Sequence, residues 1–106
     1  MLGDFRYENR RDVNSNPTGG YVSGVGLSIH WQDGPLGRGE DRKEPNGAFV
    51  ETVIAAAMQR LEFYQDSKFK CDENRQAIYK LNEALEILHS RTQNREQRKV
   101  EGTHAA

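Results

Sequence analysis

The chain has one cysteine, Cys71, three prolines, one tryptophan and no long apolar run. A single thiol cannot close an internal disulfide and excludes a zinc site built from several cysteines. No stretch approaches the length of apolar residues needed to cross a bilayer, and residues 1–20 lack the apolar segment of a secretory leader. No membrane partner is expected, and the expected location is a cytoplasm. An excess of one charge is also missing: 15 Lys and Arg against 16 Asp and Glu leave a net charge of −1. No global field is present to hold a duplex polyanion, so nucleic acid is not an expected partner and any anion recognition must be local. With 106 residues, 35% hydrophobic and 29% charged, the core is thin. That favours oligomerisation, and a binding module over a self-contained catalytic cleft.

Catalytic and metal signals are equally sparse. His30, His89 and His104 have no ligand spacing, and no nucleophile stands beside a base. The Gly24-Val25-Gly26 pattern is followed by no nearby helix, so it is not a dinucleotide fingerprint. A non-enzymatic protein without metal or cofactor is expected.

What is present divides into segments. Residues 1–20 are polar and suit a mobile arm or a short edge segment that orders against a partner. Residues 21–45 carry one half-buried strand, marked by the alternation Val25, Leu27, Ile29 and Trp31, and then a glycine-rich loop. That strand needs a neighbour, from residues 4–8 or from another subunit. Residues 46–98 read as a helical hairpin. Asn46 and Gly47 open the first helix, whose seam is Val50, Ile54, Ala57, Leu61 and Tyr64. Asp72 is the expected N-cap of the second. Residues 99–106 form a tail containing Gly102-Thr103-His104. The fold class expected is α+β, mainly α: a C-terminal antiparallel helical hairpin preceded by a short β-strand region, assembled as an oligomer.

The second helix changes chemistry without changing register. Its stripe of Ile78, Leu81, Leu85 and Leu88 runs on into Arg91, Arg95 and Arg98. At 3.6 residues per turn, Arg95 lies within about 20° of Leu88 and the other two within roughly 80°. Basic residues complement a helix C-terminus and often form a solvated end. Here they follow a buried stripe and precede a turn whose Thr103 hydroxyl and His104 imidazole can bind phosphate beside guanidinium groups. The expected helix lengths place the arginines on an overhang of about 10 Å beyond the first helix.

At the hairpin's other end stand Phe63, Tyr64, Phe69 and Asn74. Aromatics near a turn ordinarily belong to a core and an Asn in a first turn is ordinarily a local cap. The alternative is a purine shelf, with Tyr64 stacking and the Asn74 amide reading an edge. Asn74 and Arg91 are about 25 Å apart along one helix, too far for a compact cyclic nucleotide. If both ends serve one ligand, the pocket lies between subunits. Trp31, with Gln32 and Asp33, belongs either to a surface turn or to a lid over the arginines.

The runs PNGAFVE (45–51), RLEFYQDSKFKCDEN (60–74) and RTQNREQRKVEGTH (91–104) resemble the helical-hairpin domain shared by phage anti-CBASS protein 2 and Thoeris anti-defence protein 1, more closely the latter, over about the last 60 residues. The resemblance implies a phage sponge in the host cytoplasm. Such a protein sequesters nucleotide second messengers of bacterial immunity, such as glycocyclic ADP-ribose and cyclic oligonucleotides, without cleaving them, as a homo-oligomer up to a hexamer. It implies a pocket using Tyr64, Asn74, Arg91 and Arg95 from different subunits. Phe63, Trp31, Arg98, Thr103 and His104 are candidates on chemistry alone. The competing reading is an oligomeric interaction module whose arginines bind an acidic host protein.

Overall fold

A computed structural model describes residues 4–106 and contains three strands and two helices, an α+β fold. Residues through Phe49, together with Val100–Ala106, form one compact unit, and Val50–Lys99 form a second.

The first unit is an antiparallel sheet of β1 (Arg6–Arg11), β2 (Pro17–Gly24) and β3 (Leu27–Trp31), in that order. Asp12 makes the first turn: its carboxylate accepts the backbone N–H of Asn14 at 2.8 Å and of Asn16 at 3.0 Å. Such a side chain replaces backbone partners that a tight turn leaves unmade. These bonds hold the Asp12 carboxyl below its ordinary value of 3.8, the Asn16 N–H contributing most. The polar stretch expected as an arm therefore contains β1 and half of β2, paired within the chain; residues 1–3 of that arm lie outside the described residues. The strand expected to run on from Tyr21 to Trp31 breaks at Val25 and Gly26, where the chain reverses into β3. The apolar alternation passes through so short a turn unchanged, which is why it reads as one strand.

Asn46 and Gly47 do not open a helix. Ala48 bridges β3 in parallel, donating to the His30 carbonyl at 2.7 Å and accepting from Gln32 at 3.0 Å. A Cβ on Gly47 would sit 2.5 Å from the Trp31 carbonyl, so only glycine allows this backbone approach.

The second unit is the hairpin of α1 (Val50–Gln65) and α2 (Asp72–Gln97). Its half-buried positions on α1 are Glu51, Val53, Ile54, Met58, Leu61, Tyr64 and Gln65, while Val50 and Ala57 are exposed. Ile54, Leu61 and Tyr64 of the expected seam are thus half-buried, while Glu51 and Met58 take the places expected of their neighbours Val50 and Ala57. Spacing alone does not separate stripes that share Ile54 and Leu61. On α2, Ile78, Leu81, Leu85 and Leu88 are half-buried as the stripe requires. No residue of either helix is fully buried, and among the described residues no hydrophobic side chain is. Two helices side by side leave each seam open to solvent along its edges, and exposed apolar residues such as Tyr79 (61%) and Ile87 (69%) lie on α2.

Candidate functional site

The tip of the hairpin is built by its own side chains. Gln65 clasps Cys71 like a strand neighbour, its amide accepting the Cys71 N–H and donating to the Cys71 carbonyl, both at 3.0 Å. The Ser67 hydroxyl donates to the Tyr64 carbonyl at 2.6 Å and accepts the Phe69 N–H at 3.1 Å. Cys71, not Asp72, is the N-cap of α2, its Sγ accepting the Asn74 N–H at 3.4 Å. Asp72 stands in the first turn beside the positive end of the helix dipole. Arg75 and Gln76 donate to its carboxylate, and the Arg75 hydrogen bond is the main cause of a lowered pKa.

These bonds turn aromatic side chains outward. Phe63 is 53% exposed and Phe69 66%, so neither is core in this chain, and Tyr64 is half-buried. The rings of Phe63 and Tyr64 lie 6.1 Å apart at 53°. Arg60, which sequence reasoning passed over, holds its guanidinium 4.8 Å from the Phe63 centroid and 5.0 Å from that of Tyr64, and its Nε donates to the Tyr64 hydroxyl at 3.3 Å. The available signal was its position three and four residues before the two rings, on one helix face. Asn74 donates through Nδ2 to the Phe69 carbonyl at 3.4 Å, the local role ordinary for such an Asn, and its Oδ1 takes no part in that bond.

At the open end, Arg91 reaches back to the first turn of α1, its Nη2 donating to Glu51 at 3.1 Å. The helices have 16 and 26 residues, so α2 is the longer by about 15 Å. Arg91 is therefore tied to the first helix, and the part of α2 beyond that tie carries Arg95 and Arg98. A guanidinium has five N–H donors, so one carboxylate contact does not exhaust it. Arg95 is half-buried and continues the stripe, whereas Arg98 is exposed at the C-cap with its Nε on the Asn94 Oδ1 at 2.9 Å. Glu51 was also missed; an acid in a first helical turn ordinarily needs no partner beyond the dipole.

The remaining candidates belong to the sheet unit. Trp31 ends β3 half-buried, pairing with Gly20. Gln32 and Asp33 fasten the loop: Gln32 Oε1 accepts the Asn46 N–H at 2.8 Å, Asn46 Oδ1 accepts the Asp33 N–H at 2.8 Å, and Asp33 Oδ1 accepts the Gly19 N–H at 3.3 Å. The tail is pinned as well. Gly37 donates to the Gly102 carbonyl at 2.8 Å, and Arg42 grips the Glu101 carboxylate with two nitrogens at 2.6 and 3.0 Å. Gly102 has φ +79, and a Cβ there would meet the Gly37 carbonyl at 2.4 Å. The Thr103 hydroxyl donates to the Val100 carbonyl, and His104 is exposed. The structure thus brings Phe63 and Tyr64 together with Arg60, and gathers Arg91, Arg95 and Arg98 at the other end of the same hairpin. Trp31, Thr103 and His104 are placed in the other unit.

The described residues hold no group of three or more His, Cys, Asp or Glu side chains able to bind a metal, and no helix long and apolar enough to cross a membrane. Comparison with known proteins adds a curated relative, Thoeris anti-defense 1 of Bacillus phage SBSphiJ7, 46% identical over 77 residues. The match takes in 73% of this chain but 51% of the relative, so the chain spans about half the length of that protein. The family model described as Acb2/Tad1, hairpin domain, matches residues 29–93, which take in the end of β3, the glycine-rich loop, α1 and α2 as far as Gln93, and so the tip candidates and Arg91 but not Arg95 or Arg98. With the seam and the tip inside that span, and 46% identity to the phage relative beside it, the chain belongs to the Acb2/Tad1 hairpin family.

Proposed function

We propose that this protein is a phage anti-defence sponge. It binds cyclic ADP-ribose isomers or cyclic oligonucleotides in the host cytoplasm and withholds them, uncleaved, from Thoeris or CBASS signalling. The observation that carries this reading is the division of one hairpin into an aromatic and amide tip and an arginine end, about 25 Å apart along α2. Stacking groups suit a purine and guanidinium groups suit a pyrophosphate, and one small ligand reaches both only if they come from different subunits. The open seam supports the same reading: with no hydrophobic side chain fully buried among the described residues, further copies of the chain, up to a hexamer, supply the missing layer. The name of the phage relative points to the biological setting.

The test is to incubate the purified protein with lysate from cells expressing immune signalling enzymes, denature it, and identify the released nucleotides by mass spectrometry. Intact cyclic nucleotide is the expected result, cleaved product would indicate an enzyme, and no nucleotide would overturn the reading. A second reading, an oligomeric module for an acidic host protein, draws on the Arg91 to Glu51 pair, because that arginine already donates to a carboxylate.

A further inference from the structure

We infer that Arg60 is a further ligand-binding residue of the tip, its planar guanidinium forming the layer on which the purine stacks, with the Phe63 and Tyr64 rings behind it. This rests on the sponge reading and adds to it a recognition residue and the chemical group it meets. The cation is fixed by three contacts: two ring faces at 4.8 and 5.0 Å and a hydrogen bond to the Tyr64 hydroxyl. Two rings tilted by 53° make a notch rather than a flat shelf, and the guanidinium fills it. Arg60 is exposed, so its guanidinium is open to a base on the side away from the rings.

That arrangement has a chemical consequence. A guanidinium is flat, delocalised and weakly hydrated, so it stacks on an aromatic ring on one side and on a nucleobase on the other. Holding it against two rings removes much of the rotamer freedom that an exposed arginine otherwise loses on binding. Its charge also lies where an attached pyrophosphate benefits from it. Lysine shares the charge but has no plane to stack.

The experiment titrates glycocyclic ADP-ribose by calorimetry into the wild type, Arg60→Lys and Arg60→Met. Both replacements are good helix formers at an exposed site, and circular dichroism with a thermal melt confirms an unchanged fold. Both variants should bind at least about tenfold more weakly, about 1.4 kcal/mol. Wild-type affinity in Arg60→Met overturns the inference, as does rescue by Arg60→Lys, which would reduce the role to charge. If the wild type binds and both variants bind equally well, the inference alone fails. If the wild type binds no cyclic nucleotide, the sponge reading fails and takes the inference with it.

Discussion

In the sheet unit polar side chains serve the backbone: Asp12 holds a turn, Gln32, Asp33 and Asn46 hold a loop, and Arg42 holds the tail through Glu101. In the hairpin, a half-buried apolar seam and the Arg91 to Glu51 pair join the helices, while aromatic and cationic groups gather at the two ends. Hydrogen bonds of the first kind fix local geometry and contribute modestly each. The contrast makes the sheet a scaffold and, under the proposed function, leaves recognition to the hairpin.

The largest expected effect tests the scaffold. Gly102→Ala meets both a positive φ and a 2.4 Å approach to the Gly37 carbonyl, and should destabilise the sheet unit by about 2–3 kcal/mol. Hydrogen exchange should show lost protection in β1–β3 with α2 retained; equal loss in both units would break the division. Next come the arginines. Arg91→Ala or Arg95→Ala should weaken cyclic nucleotide binding about thirtyfold, roughly 2 kcal/mol, with helicity unchanged, and lysine should restore little. Unchanged calorimetric affinity in both variants would return these residues to a solvated helix end.

Tyr64→Ala should cost about tenfold, since it removes a ring and the hydroxyl that hold the stacking layer at the tip. In the proposed pocket Tyr64 and Arg91 come from different chains, so co-refolding Tyr64→Ala with Arg91→Ala would rebuild some intact sites, and a tight-binding class should reappear. Its absence, despite confirmed subunit exchange, would sink the shared pocket. Glu51→Gln is expected to tighten binding about twofold by removing a competing carboxylate from Arg91, a change smaller than about 0.5 kcal/mol. Weaker binding would make Glu51 a support for Arg91 instead.

The smallest effect is acid sensitivity. Asp12 and Asp72 titrate below the ordinary 3.8 in the folded chain, so each contributes stability that is present above that value and lost as pH falls through the folded pKa. Thermal melts should drop as the pH falls below about 3.8, and Asp12→Asn should flatten the part of that slope belonging to the sheet. An unchanged slope would remove Asp12 from the scaffold's account.

The hairpin was legible because apolar spacing at three and four residues reports a helix face directly. Its exact seam was not, since Ile54 and Leu61 fit two adjacent stripes and only the exposure of Val50 and Ala57 separates them. β1 was hidden by its composition: RYENRR has no apolar alternation, because the strand is exposed along its length and its order comes from pairing with β2. Cys71 as a cap was hidden too, since thiols accept hydrogen bonds weakly and Asp72 is the stronger N-cap by preference. Of the site, the residue types at both ends could be read, but the notch holding Arg60 depends on side-chain geometry that spacing does not carry.

The tail contact bears on the order of folding. Arg42 and Glu101 are separated by 59 residues, a long loop to close from an extended chain. The hairpin lies wholly within that loop, and once Arg91 and Glu51 have met, the remaining path is about one third as long. Closure entropy falls with the logarithm of loop length, so prior hairpin formation eases the tail contact by about 1 kcal/mol. Helices form from local contacts far faster than distant segments meet, which puts α1 and α2 first and the tail last. The hairpin thus acts as the clamp that shortens the loop the tail contact must close.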